Sequence, residues 1–265
     1  MSLTFSIIQT SLHWENKEAN LKMLEEKIRS IAKTEIVVLP EMFSTGFSMN
    51  ASALSETMDG PTIEWMRKIS IEKKIILTGS LIIKDGEHFH NRLIWMLPTG
   101  QLGYYDKRHC FSYAEEDKHY TAGNKRLITS VNKWKINLQI CYDLRFPVLA
   151  RQSFDKVQDD KEYDVLLYVA NWPERRNHAW KSLLVARAIE NQCYVIGVNR
   201  VGNDGNEIYH SGDSMIVNPL GEILFTNAHD EIIHTQILEK KFLEEVRNRF
   251  AFWKDADDFR ILNEE

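Results

Sequence analysis

The sequence predicts an α/β protein in which sheets are layered against helices. Ten short β-rich apolar runs punctuate it, and several are continuously apolar, as strands covered on both faces are. Between the early runs, apolar residues recur at helical spacing. Strand and helix alternate early, and strands cluster in the second half.

In chain order, LTFSIIQT (3–10) is the first strand. A helix follows, capped by Asn16, with Leu21, Leu24, Ile28 and Ile31 on one face. EIVVLPE (35–41) is the next strand. Pro61 opens a second helix that directs Ile63, Met66 and Ile69 inward. KIILTGSLII (74–83) and NRLIWML (91–97) are strands, and PTGQLGYYDKRHCF (98–111) begins as a turn. INLQICYD (136–143) and YDVLLYVAN (163–171) flank the polar stretch QSFDKVQDDKE (152–162), which reads as an exposed loop or helix end. A third helix covers 177–190, with Trp180, Leu183, Leu184 and Arg187 on one side. YVIGVNRV (194–201), SMIVNP (214–219), EILFTNA (222–228) and EIIHTQIL (231–238) are strands, and a fourth helix covers 238–249. No Gly/Ser-rich or Pro-rich linker and no repeat divides the chain. Residues 1–265 therefore read as one domain, with 245–265 as its C-terminal tail.

The hydrophobic share of 43% and charged share of 27% are ordinary for a soluble globular protein. A net charge of −5 and a pI near 6.0 argue against a dedicated binder of nucleic acid or acidic membrane. No apolar run reaches membrane-spanning length, and MSLTFSIIQT has no basic leader region. The three cysteines, Cys110, Cys141 and Cys193, are odd in number and fit no zinc spacing. A reducing, cytoplasmic setting is the expectation.

Three residues at or near the ends of β-rich runs carry chemistry. Glu41 lies in EIVVLPEMF (35–43), Lys107 in PTGQLGYYDKRHCF (98–111) and Cys141 in KINLQICYDLRFP (135–147). A thiol that attacks, a carboxylate that moves protons and an ammonium that stabilises negative charge are the parts of a covalent hydrolase. Taken singly, a cysteine is usually a small buried residue, and a lone Glu or Lys is usually a surface charge. Cys193, in QCYVIGV, fits that reading, and so does Cys110. Cys141 differs because a polar turn with Asp143 and Arg145 follows it.

The motifs Pro40-Glu41-Met42-Phe43, Asp106-Lys107-Arg108-His109-Cys110-Phe111 and Cys141-Tyr142-Asp143-Leu144-Arg145-Phe146-Pro147 resemble, in order, the three signatures of the nitrilase superfamily, the carbon–nitrogen hydrolases. The resemblance covers nearly the whole chain. It implies a four-layer αββα sandwich, usually paired through its helices into homodimers, or else a higher homo-oligomer, and the tail at 245–265 is a candidate for that interface. It also implies a cofactor-free mechanism. Cys141 is the nucleophile and Glu41 the general acid and base. Lys107 stabilises the oxyanion together with the backbone N–H of Tyr142. A second family glutamate lies seven positions before a glycine. With Gly123 as that glycine the match is Glu116, although Glu115 adjoins it.

For substrate, Asn171-Trp172-Pro173-Glu174-Arg175-Arg176 and the segment 180–191 resemble the bacterial omega-amidase branch, which cleaves the terminal amide of 2-oxo acid monoamides. A carboxylate-bearing substrate calls for an arginine fork. Arg175 is the better choice for substrate and Arg145 for structure, with Phe43, Phe111, Trp172 and Tyr142 around the substrate. Nitrile-cleaving relatives usually follow the cysteine with Trp and Glu, whereas Tyr142-Asp143 looks like the amide-cleaving branches. An N-carbamoyl amino acid hydrolase is the alternative within the superfamily. A papain-like protease would need a Cys–His pair and its own signature, for which only His109 is on offer. A catalytically silent binding protein would be expected to lose one of the three residues, and all are present. The nine histidines form no ligand cluster, so no metal is expected, and no Gly-rich phosphate loop is present.

Overall fold

The computed structural model describes residues 1–152, 162–257, 259 and 261. The stretch read as an exposed loop at 152–162 therefore lies, but for Gln152 and Glu162, outside the described residues. The strands are β1 (Ser2–Gln9), β2 (Ile36–Val38), β3 (Ile76–Asp85), β4 (His88–Met96), β5 (Leu102–Asp106), β6 (Ile128–Val131), β7 (Trp134–Ile140), β8 (Val165–Ala170), β9 (Tyr194–Asn199), β10 (Val201–Asn203), β11 (Tyr209–Val217), β12 (Ile223–Ala228) and β13 (Ile232–Glu239). The longer helices are α1 (Lys17–Ser30), α2 (Pro61–Lys73), α3 (Asn177–Asn191) and α4 (Lys240–Arg249).

The strands form two mixed sheets, in the orders β13-β1-β2-β3-β4-β5 and β10-β11-β9-β8-β7-β6, with β12 paired to β11. Each sheet has three parallel strands at its centre. Phe5 pairs with Ile36 and Ile36 with Ile76 in the first, and Ile136 pairs with Val165 and Val165 with Tyr194 in the second. Side chains alternate between faces along a strand. Leu3, Phe5, Ile7, Ile36 and Val38 point from the first sheet into a core shared with Trp134, Ile136, Leu138 and Val165 of the second. Ile8, Val37, Leu39 and Leu77 point the other way, onto Leu24 and Ile28 of α1 and Ile63, Met66 and Ile69 of α2. On the far side, Trp180, Leu184 and Ala188 of α3 pack on the second sheet. At Gly197 of β9 a Cβ would lie 2.6 Å from a Leu184 methyl, so the helix approaches closely only because that position is glycine. The result is the four-layer αββα sandwich, and it explains the continuously apolar strands.

The structure revises several boundaries. The 136–143 run stops at Ile140, because Cys141 adopts φ +42° and turns the chain out of the sheet. The 194–201 run breaks at Arg200 into β9 and β10. The 214–219 run begins five residues earlier, at polar Tyr209, and ends at Val217. Leu238 belongs to β13, so the last helix starts at Lys240. Two strands were unforeseen, β5 and β6. Asn16 does cap α1, its side chain accepting from Ala19 N at 3.1 Å. Among the described residues, no helix is long and apolar enough to cross a membrane.

Candidate active site

The catalytic candidates sit where strands of both sheets end. Glu41 follows β2, Lys107 follows β5, Cys141 follows β7, and Asn171 follows β8. Carboxyl ends of strands in α/β sheets are where ligands bind. Asp143 fixes the cysteine turn. Its Oδ2 accepts from Ile140 N at 3.0 Å and from the Tyr105 hydroxyl at 2.8 Å, and its Oδ1 accepts from His109 N at 3.0 Å. One buried carboxylate thus ties the Cys141 turn to the Lys107 loop. A positive φ at a non-glycine residue is uncommon, and at Cys141 it aims the thiol away from the strand.

Glu41 is fully buried, and three donors converge on it. Lys107 Nζ and Asn91 Nδ2 donate to Oε1 at 2.9 and 2.8 Å, and Asn171 N donates to Oε2 at 2.8 Å. Lys107 Nζ also donates to both oxygens of Glu116, each at 2.9 Å. Glu116 is buried and accepts from Phe111 N at 2.5 Å, whereas Glu115 is exposed and pairs with Lys118. The structure therefore puts Glu116, not Glu115, against the lysine. Cys141 approaches the same set through Asn171, whose carbonyl faces Sγ at 4.0 Å.

Two carboxylates and one ammonium leave this buried group with one excess negative charge. The consequences follow from charge and burial. Burial pushes the Cys141 thiol well above its usual range. Glu41 adds to the rise, and Lys107 opposes it. Burial works against the charge of Lys107, but Glu116 and Glu41 more than offset that and raise its pKa further. Burial raises the Glu116 carboxyl against the pull of Lys107. Burial and charge thus favour the neutral thiol at Cys141 and the charged ammonium at Lys107.

These residues open into a cavity of about 510 Å3 lined by Lys107, Cys141, Phe111, Tyr142, Trp172, Arg145 and Arg175, among others. Phe43 does not belong there. It is fully buried behind the first sheet, 6.0 Å from the Trp65 ring, in the cluster with α1 and α2. The φ of +44° at Met42 turns the chain between Glu41 and Phe43, so the two side chains leave the turn in different directions. Phe47 lines the cavity instead, 5.2 Å from Lys107 Nζ. His109 Nδ1 is 2.8 Å from Asp143, and its ring stacks on Phe146 at 3.8 Å, so it is committed to the turn scaffold. The pair His88 and His90 contacts Thr121. Among the described residues, no group of three or more His, Cys, Asp or Glu side chains is placed to hold a metal ion.

Sequence reasoning missed Asn91 and the role of Asn171. Asn91 Nδ2 bridges Glu41 and Glu116, at 2.8 and 3.2 Å, while its Oδ1 has no partner. Nothing in NRLIWML distinguishes an asparagine that starts the buried half of a strand from a polar strand-end residue. Asn91→Leu is expected to cost about 1–3 kcal/mol of stability, because buried carboxylate oxygens lose a donor. Chemical denaturation checks this, and an unchanged midpoint contradicts the bridge.

Residues 4–240 match the carbon–nitrogen hydrolase family model. The chain is 42% identical over 260 residues to the omega-amidase YafV of Escherichia coli strain K12, covering 98% of both chains. It is 30% identical over 260 residues to a 2-oxoglutaramate amidase of Bacillus subtilis, covering 96% of this chain and 98% of that one. A crystal structure of a CN-hydrolase superfamily protein from Xanthomonas campestris, which carries an arsenic adduct in its active site, superposes with a TM-score of 0.96 at 40% identity, covering 98% of this chain and 99% of the other. Strand ends that gather a thiol, a lysine and two carboxylates, and likeness along nearly the whole length, lead to one assignment: the chain belongs to the carbon–nitrogen hydrolase family.

Proposed function

We propose that the protein is an omega-amidase that releases ammonia from the terminal amide of a small 2-oxo acid monoamide, such as 2-oxoglutaramate or 2-oxosuccinamate, through a cysteine thioester. The observation that carries this reading is the salt-bridged set Glu41–Lys107–Glu116 beside Cys141. The full-length likeness to an omega-amidase supports the substrate class.

The electrostatics dictate the order of events. Ionising Cys141 by loss of a proton to water would add a second excess charge to a buried site. Passing the proton to Glu41 instead moves the negative charge from oxygen to sulfur and creates none. The thiolate then attacks the amide carbon. Lys107 Nζ and the Tyr142 backbone N–H stabilise the oxyanion. Protonated Glu41 delivers its proton to the departing amine, the C–N bond breaks, and ammonia leaves. Glu41, now ionised again, takes a proton from water as it attacks the thioester. The C–S bond then breaks, protonated Glu41 returns its proton to the departing Cys141 thiolate, and the product acid loses its remaining proton to solvent. Glu116, with its two bonds to Lys107, holds the ammonium in place through both half-reactions.

The chain is read as one domain working as a homodimer in a cytoplasmic setting. Three free cysteines support a reducing compartment. The exposed apolar residues Ile189 of α3 and Leu220, Ile223 and Leu224 near it support pairing through that face. An ammonia-release screen over 2-oxoglutaramate, 2-oxosuccinamate, glutamine, asparagine, N-carbamoyl amino acids and simple nitriles tests the substrate class. The 2-oxo acid monoamides are expected to lead by kcat/KM, and preference for an N-carbamoyl amino acid would move the protein to another branch. Because the nucleophile, the acid–base group and the stabilising cation of this scheme are all side chains, EDTA is expected to leave the rate unchanged. Reversible inhibition restored by a metal would overturn the scheme.

A further inference from the structure

We propose that Arg176, seconded by Arg145, is the subsite that captures the substrate's carboxylate. The inference rests on the omega-amidase reading and names the binding group within it.

Beside the nucleophile, the cavity continues into an outer recess lined by Phe111, Tyr113, Tyr142, Arg145, Arg175 and Arg176. Three cations thus meet three aromatic rings. Among the described residues, none of the three arginines makes an ion pair with a carboxylate. Unpaired guanidinium groups gathered in a partly desolvated recess repel one another, and an anion entering between them relieves that repulsion.

The three are not equivalent. Arg175 is exposed. Arg176 is half-buried, and its guanidinium carbon lies 5.1 Å from the centroid of the Phe111 ring. Burial first, and then Arg175 and Arg145, disfavour the Arg176 charge, while Cys141 favours it, so this arginine lies within the field of the nucleophile. Trp172 organises the pair. Its indole N–H donates to the Arg176 carbonyl at 2.8 Å, and its ring carries Arg145 at 4.8 Å. A guanidinium backed by an aromatic face keeps its fork free for the two oxygens of a carboxylate. This transfers the role first read at Arg175 to its neighbour. Adjacent residues on the short helical turn Glu174–Arg176 point in different directions, and the repeat Arg-Arg does not show which one faces inward.

The test compares wild type, Arg176→Ala, Arg176→Lys and Arg175→Ala on 2-oxoglutaramate and on a neutral short amide. A charge-assisted hydrogen bond is worth roughly 1.5–3 kcal/mol. Arg176→Ala is therefore expected to lower kcat/KM for 2-oxoglutaramate on the order of 10–100-fold, mainly through KM, with a much smaller loss on the neutral amide. Arg176→Lys restores part of the loss, since charge returns without the fork. Arg175→Ala costs less than Arg176→Ala. Equal losses of Arg176→Ala on both amides, or a larger carboxylate-specific loss in Arg175→Ala, overturns the proposal. A second measurement needs no turnover. 2-Oxoglutarate is expected to protect Cys141 from iodoacetamide, with protection about 10–100-fold weaker in Arg176→Ala, by the same hydrogen-bond energy. Unweakened protection in that variant contradicts the subsite. Failure of wild type to hydrolyse 2-oxoglutaramate, with protection intact and lost in Arg176→Ala, sinks the omega-amidase reading and leaves the subsite standing.

Discussion

Cys141→Ser is expected to abolish ammonia release while the folded protein persists. Serine keeps the size and the unbranched Cβ that the φ of +42° tolerates, and its hydroxyl can face the Asn171 carbonyl as the thiol does. The turn is held by Asp143 rather than by the sulfur, so its geometry survives the change. The chemistry does not survive. Even the thiol is pushed up by burial and by Glu41, and a hydroxyl starts much higher, so Glu41 cannot ionise it. Removal of the nucleophile from a covalent hydrolase costs on the order of 10⁶-fold in kcat. The check is the ammonia-release rate beside a thermal melt. More than a small fraction of the wild-type rate in a folded variant removes Cys141 as nucleophile.

Glu41→Gln is expected to lower kcat on the order of 10²–10⁴-fold, the usual contribution of a general base. It also carries a structural signature that the cysteine variant lacks. Glu41 is an acceptor for Lys107, Asn91 and Asn171 N at once, on both oxygens. Glutamine has one acceptor oxygen, so its amide NH2 must face at least one of those donors. A buried donor left unpaired costs about 1–3 kcal/mol. Lys107 retains Glu116, so the ammonium stays paired. The expected result is a modestly destabilised, nearly inactive protein. A near-normal rate would assign the proton transfers elsewhere, with Glu116 next in line, and an undiminished stability would contradict the three-donor clamp.

The sequence carried different parts of this structure with different clarity. Continuous apolar runs such as IVV and VLLYVA announced β2 and β8, because strands squeezed between helices and a second sheet have no polar face. β5 and β6 were silent. LGYYD and ITSV are short and partly exposed, and β6 lies at the edge of its sheet, so neither carries a clean two-residue period. Glu41, Lys107, Glu116 and Cys141 were legible through motif resemblance, and the structure gathers all four. Their geometry depends on tertiary contacts that no local pattern encodes. Asn91 reaches Glu41 across 50 residues, and Asn171 reaches it across 130. Phe43 was misplaced because an aromatic beside a catalytic residue suggests a pocket wall, whereas the positive φ of Met42 sends it into the helix-facing core.

In the proposed mechanism the Cys141 thiol, within the Glu41–Lys107–Glu116 set, does the covalent work. The most direct measurement follows ammonia release from 2-oxoglutaramate as iodoacetamide modifies the protein, with peptide mass mapping at each point. Lost activity is expected to track the modified fraction of Cys141 one for one. Modification of half-buried Cys110, whose pKa is pushed up to about 12 chiefly by burial, or of buried Cys193, is expected not to account for the loss. Full activity in protein whose Cys141 is completely alkylated would contradict it.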